Sequence, residues 1–130
     1  MTSFAQDKAS DISIDFIGIQ SNRAVFQITN NSKATFTYVR HEPTKSFQNS
    51  SIQIYKNEKW EDAGPFRCGT MTDEEASQYV SHPLKPAEQL LTSMSLDGTS
   101  AKPGDVIRVQ VYLMKDKQFL KFESDSRITK

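Results

Sequence analysis

Residues 106–115 read VIRVQVYLMK, the most regular alternation of apolar and polar side chains in the chain. Successive side chains of a β-strand point to opposite faces, so a period of two predicts a strand with one buried face. The residues expected to point inward are Ile107, Val109, Val111 and Leu113, and those expected to point outward are Arg108, Gln110 and Tyr112. This stretch predicts a central strand of a β-rich fold.

Turn signals lie on both sides of this strand. Pro103-Gly104-Asp105 precedes it, and Asp116-Lys117 leads into a final strand over 118–123. Alternating segments of the same kind occur upstream, over 11–19, 23–29, 35–41, 51–56, 59–63 and 89–96, and Asn57-Glu58 predicts a hairpin turn between the fourth and the fifth of them. The pattern predicts about seven to eight short strands. We expect a flexible segment over 1–10, one domain over 11–123 and a tail over 124–130.

One segment carries a helix signal instead. Thr72-Asp73-Glu74-Glu75 matches a capping box, which predicts one short helix near residues 73–80. Residues 82–86 are expected to be extended chain without a strand pattern. Because strands do not alternate with helices, the spacing predicts an all-β sandwich or barrel rather than a parallel α/β sheet.

Composition narrows the possible partners. The 130 residues contain 16 Lys plus Arg and 16 Asp plus Glu, so the formal net charge is zero. Without a basic excess we predict no nucleic-acid binding, which depends on neutralising phosphates. No apolar stretch approaches the roughly 18 residues of a membrane helix, so we predict no membrane insertion.

The amino terminus allows two compartments. Small residues around Ser3 and Ala5, followed by Gln6-Asp7, suit the site at which a signal peptide is cleaved. If residues 1–5 are such a remnant, the protein is periplasmic or secreted. If they are an ordinary amino terminus, it is cytoplasmic. We favour the first slightly.

The order of motifs resembles that of small bacterial immunoglobulin-like or fibronectin-III-like domains. The motifs that carry this resemblance are residues 26–32 (FQITNNS), Trp60, residues 68–70 (CGT), residues 84–88 (LKPAE) and residues 103–109 (PGDVIRV). The chain departs from the pattern at Ala87, where glycine is usual, and at Met71. The resemblance implies an immunoglobulin-like antiparallel β-sandwich and assigns no activity, because a fold does not imply a function.

Candidate catalytic residues are few. Cys68 is the only cysteine, and His41 and His82 are the only histidines. A thiol enzyme would need Cys68, a nearby histidine and an orienting amide or carboxylate. The alternative is that Cys68 is a small buried apolar residue and that both histidines are solvated. We adopt that alternative and predict no catalytic residues, no metal and no cofactor.

The remaining signals indicate binding. Residues 64–86 form the longest region without strand alternation, and loops on rigid scaffolds often recognise partners. The residues expected to bind are Phe66, Tyr79, His82 and Leu84. Trp60 is either an exposed ligand platform or, as we prefer, a residue that packs on its sheet.

Three functions follow from these signals. The favoured one is a non-enzymatic binding or accessory module that engages a protein or cell-surface partner through loops 64–86 or an edge strand. The alternatives are a protease-inhibitor-like domain that inserts the same region into a protease cleft, and a Cys68-dependent enzyme.

Overall fold

The computed structural model describes residues 11–44, 46–64 and 72–128. In chain order the elements are β1 (Ile12–Gln20), β2 (Arg23–Asn30), β3 (Phe36–His41), β4 (Ser46–Phe47), β5 (Ser50–Lys56), β6 (Lys59–Gly64), α1 (Asp73–Ala76), β7 (Tyr79–Leu84), β8 (Gln89–Ser95), β9 (Val106–Lys115) and β10 (Gln118–Ile128). The predicted antiparallel β-sandwich with one short helix is confirmed.

Three two-residue turns determine which strands are neighbours. Ser21-Asn22, Asn57-Glu58 and Asp116-Lys117 join β1 to β2, β5 to β6 and β9 to β10. All six turn residues have φ between 50° and 65°. Two consecutive residues with positive φ give the turn whose twist matches that of antiparallel strands. The last two of these hairpins are predicted from the sequence.

The strands form two sheets. The smaller contains β1, β2 and β8, with β2 in the centre. In the larger, β9 pairs with β10 on one side and with β5 on the other. β3 meets β9 only at the pair Thr37–Met114, and on its opposite side pairs with β7 along its whole length. β3 and β5 therefore follow one another along the same side of β9.

The apolar faces of the two sheets form the core. Ile107, Val109, Val111 and Leu113 are fully buried, as the alternation in β9 predicts. The largest side chains with no appreciable exposure are three phenylalanines on β1, β2 and β3: Phe16, Phe26 and Phe36. The buried apolar residues of both sheets belong to one cluster. Close packing of this cluster stabilises the described part of the chain.

The structure differs from the sequence-based expectation in four elements. α1 ends at Ala76, because Tyr79–Leu84 is strand β7 rather than helix and extended loop. β10 continues to Ile128, so residues 124–128 are strand and not tail. β4 is a further, two-residue strand. The predicted flexible segment over 1–10 lies outside the described residues.

Asn30 fixes the point where the chain crosses between the sheets. This residue is fully buried, and its side-chain amide donates to the carbonyls of Ala34 and Leu84 at 2.8 and 2.9 Å. Its backbone also bonds to Ala87 and Glu88, between β7 and β8. Ala87 adopts φ of 68°. That conformation favours glycine, so Ala87 occupies a backbone position that a residue with a Cβ adopts at a cost.

Candidate functional site

The open side of the sandwich is the side bounded by β7 and β8. These strands are consecutive in the chain but belong to different sheets. β7 pairs with β3 in the larger sheet, and β8 pairs with β2 in the smaller one. Within the described residues, β7 pairs only with β3 and β8 pairs only with β2. Each strand therefore has a row of backbone groups that points away from its sheet.

The register shows which groups of β7 point outward. The amide of Glu42 donates to the carbonyl of Gln78 at 2.9 Å. In an antiparallel ladder, bonded and non-bonded pairs alternate, so Val80, His82 and Leu84 bond to β3. Tyr79, Ser81 and Pro83 must then direct their backbone groups away from β3. Pro83 has no N–H to lose, which explains how a proline fits this strand.

The predicted binding residues have different surroundings. Tyr79 is half-buried, with its ring centroid 4.9 Å from that of His41. His82 is half-buried against Glu42 and Tyr38. Leu84 is 2% exposed and belongs to the core, so it supports β7 from within and offers little surface to a partner. Phe66 lies outside the described residues, as does Cys68 of the enzyme alternative.

An ion-pair network fixes β7 to β3. Arg40 donates to both carboxylate oxygens of Glu42, at 2.9 and 3.2 Å. That hydrogen bond raises the pKa of the Arg40 guanidinium above its ordinary value. Nε2 of His82 lies 2.8 Å from the same carboxylate. A nitrogen this close to a carboxylate acts as a donor, so Glu42 orients His82 and joins it to Arg40.

A stack of rings lies beside this network. Tyr38 packs nearly parallel to Phe47, with centroids 5.7 Å apart, and its ring lies 5.4 Å from that of His82. Burial raises the pKa of the Tyr38 phenol above 10.0, so the ring stays neutral at physiological pH. β4, β3 and β7 are thus joined by side chains as well as by their backbone bonds.

A cleft of about 420 Å³ opens at the end of this side, where β7 begins and β8 ends. Its walls come from β3, β4, the start of β7 and the end of β8. The lining residues are His41, Thr44, Phe47, Gln48, Asn49, Ser50, Tyr79, Met94, Ser95 and Asp97. The volume lies in the range of small-ligand sites, which is about 300–1,000 Å³.

His41 has a hydrogen-bond partner on each of its ring nitrogens at the cleft. Its Nδ1 lies 2.7 Å from the hydroxyl oxygen of Thr44, and its Nε2 lies 3.1 Å from the side-chain oxygen of Gln78. A ring with a partner on each nitrogen has a fixed orientation. The structure therefore places His41 and His82 on adjacent strands with separate partners, His41 between neutral groups and His82 against a carboxylate.

Sequence reasoning missed several residues of this side. Glu42 and Asp97 carry no motif, since each is a single acidic residue at the end of a strand. Their contribution depends on the pairing of β3 with β7 and on the approach of β4 to β8, and neither follows from alternation. Recognising residues 79–84 as a strand would have located this side of the sandwich. The polar residues and the proline of this segment hide its strand pattern.

Trp60 lies on the other side of the larger sheet, away from the cleft. It is half-buried, the guanidinium of Arg108 lies 4.2 Å from its ring centroid, and Tyr55 meets its ring at 5.2 Å. Arg108 in turn donates to Gln53 and Glu123, both at 2.8 Å. These contacts make Trp60 a packing residue of the outer sheet face.

The comparisons with known proteins assign no family. No protein-family model matches the chain, and no curated protein matches it significantly. Among residues 11–44, 46–64 and 72–128 there is no group of three metal-ligating side chains. No helix in that part of the chain is long and apolar enough to cross a membrane.

Proposed function

We propose that this protein is a non-enzymatic binding module that engages a protein partner by strand addition at β7. The observation that carries the proposal is the outward direction of the backbone groups of Tyr79 and Ser81. β7 also lies within residues 64–86, so the region favoured from the sequence and the edge-strand mode coincide. In strand addition, main-chain hydrogen bonds provide affinity and alternate side chains provide specificity.

The side chains of β7 support this mode. Ser81 is exposed and Val80 is 39% exposed, so little bulk stands in the way of a partner backbone. The network of Arg40, Glu42 and His82 joins β7 to β3 through side chains. A partner would therefore meet a strand that is already in its binding conformation, which limits the entropy lost on association.

The edge of β8 is a weaker candidate. The bond from the Asn30 amide to the Glu88 carbonyl fixes the alternation there, so that Leu91 and Ser93 point outward. Arg23 then donates to the Ser93 hydroxyl at 2.9 Å and reaches the Ser93 carbonyl at 3.5 Å. A charged side chain over an edge is one of the devices that discourage strand addition.

For the protein to act as a protease inhibitor, residues 64–86 would have to protrude as a loop that enters a protease cleft. Residues 79–84 are instead paired with β3 along their whole length. No contact in the described residues favours protease inhibition over strand addition, so we propose only the latter.

A proline substitution tests the proposal. Ser81→Pro removes one outward donor without removing a bond to β3, so the fold should remain intact. Leu91→Pro makes the matched change on the edge of β8. Peptides selected from a random display library against the wild-type protein serve as the probe. We expect Ser81→Pro to weaken their binding at least about tenfold, which corresponds to the loss of one main-chain bond.

The control variant should bind the same peptides as tightly as the wild-type protein does. Circular dichroism and urea unfolding verify that both variants are folded. If the library yields no binders, or if the selected peptides bind Ser81→Pro as well as the wild type, strand addition at β7 is wrong.

A further inference from the structure

We propose that the cleft receives a cationic side chain, lysine or arginine, from the partner segment that pairs with β7. This inference rests on the proposed function. Tyr79 belongs both to the edge of β7 and to the cleft. Its backbone groups are directed away from β3, and its side chain lines the cleft. A strand that pairs with Tyr79 therefore brings its own side chains to the mouth of the cleft.

The charge of the cleft selects the occupant. Asp97 is the only lining residue among those described that carries a formal charge when His41 is neutral. Its Oδ1 accepts a hydrogen bond from the side-chain amide of Asn22 at 2.7 Å. Within the described residues, Oδ2 has no partner and is available to a donor. A single carboxylate in a concave site favours a cation and disfavours an anion.

The position of Asp97 is fixed from two directions. Its own backbone N–H donates to the Ser95 hydroxyl oxygen at 3.0 Å, while Asn22 holds the carboxylate. A fixed carboxylate loses less entropy when it binds a cation than a mobile one does. Asp97 is exposed, so water screens the attraction, and we expect modest rather than tight binding.

Aromatic rings provide the second contact for a cation. Tyr79 lines the cleft with its ring inclined at 49° to that of His41, and the nearly buried ring of Phe47 lines it as well. The electron-rich face of an aromatic ring attracts an ammonium or guanidinium group, and its edges pack against the aliphatic stem. The cleft thus combines a carboxylate for the charge with the ring of Tyr79 for the methylene groups, in a lining that is otherwise mostly polar.

A lysine side-chain analogue tests the cleft separately from β7. We would titrate n-butylammonium into the ¹⁵N-labelled protein, with n-butanol and butyrate as the neutral and anionic probes. The expected result is a shift of the amides of Tyr79, Ser95 and Asp97 by butylammonium, with weaker shifts for butanol and none for butyrate. Equal shifts for butanol and butylammonium would overturn the proposal.

Two substitutions at the same residue sharpen the test. Asp97→Asn should weaken butylammonium binding about threefold to tenfold, and Asp97→Lys should abolish it. Asp116→Asn is the matched control, because it removes one carboxylate from an exposed turn that does not line the cleft. This variant should bind as the wild type does. Unchanged binding by Asp97→Lys would contradict a role for this carboxylate.

The two proposals fail in different ways. Butylammonium does not pair with β7, so the Ser81→Pro variant should bind it normally. If the selected peptides bind Ser81→Pro as tightly as the wild type while the binding of butylammonium requires Asp97, strand addition is wrong and the cation site stands. If the peptides require Ser81 but contain no preferred basic residue, strand addition stands and the cation site is wrong.

Discussion

The two sides of the sandwich differ in whether the outward backbone groups of their edge strands have hydrogen-bond partners. On one side, β1 and β10 approach each other, and a carboxylate oxygen of Asp125 accepts a hydrogen bond from the Phe16 amide at 2.9 Å. The register of β10 shifts between Glu123 and Ser126, which aims Asp125 toward β1. On the open side, Tyr79 and Ser81 of β7 have no corresponding partner in the described part of the chain.

This difference shows how a sandwich can close one edge and leave another available. The Phe16 amide faces away from β2, so without Asp125 it would be an unpaired donor at an edge. A bulge re-aims a side chain, and here it turns one onto that donor. The open side is instead anchored from within, by Asn30, and no strand in the described part of the chain pairs with its outer edge.

The largest effect should come from removing that inner anchor. Asn30→Ala removes one donor from the carbonyls of Ala34 and Leu84, and it also removes the acceptor of the Ser32 amide. We expect the free energy of unfolding to fall by about 3 kcal/mol, because three hydrogen bonds are lost and each contributes about 0.5–1.5 kcal/mol. Urea unfolding measures this. The neighbouring exposed Asn31→Ala should cost less than about 1 kcal/mol. Equal losses would contradict the role of Asn30.

A smaller effect is expected from opening the closed side. Asp125→Ala removes the acceptor for the Phe16 amide and should cost about 1 kcal/mol. It should also speed hydrogen exchange at Phe16, because the amide regains access to water. Asp125→Asn keeps a side-chain oxygen and should retain slow exchange. If Phe16 exchanges at the same rate in all three proteins, the bond to Asp125 does not seal this edge.

The smallest change in unfolding free energy is expected at Ala87, where the chain crosses from β7 to β8. Ala87 adopts a left-handed conformation that costs a residue with a Cβ about 1–2 kcal/mol. Ala87→Gly relieves that strain but adds flexibility to the unfolded chain, so we expect a net gain of about 0.5–1 kcal/mol in unfolding free energy. The control Ala34→Gly, where φ is not positive, should lower stability instead. A loss with Ala87→Gly would show that the turn is not strained.

The same comparison shows what the sequence could predict. The alternation of β9 depends on local geometry and burial, so its four inward residues and the two hairpins predicted at residues 57–58 and 116–117 were assigned correctly. β7 was missed because an edge strand has one polar flank, and Pro83 is tolerated only where its nitrogen faces outward. The cleft could not be predicted, since it forms where β4 meets the end of β8, and alternation fixes faces but not neighbours.

Residue-resolved amide hydrogen exchange shows whether β7 accepts a partner strand. In the free protein, Tyr79 and Ser81 should exchange rapidly while Val80 and His82 exchange slowly, because only the latter bond to β3. When a selected peptide is bound, exchange at Ser81 should slow by at least about tenfold while Leu91 on β8 is unchanged. Exchange at Ser81 that is as slow as at Val80 in the free protein, or unaltered by the bound peptide, would show that β7 does not accept a partner strand.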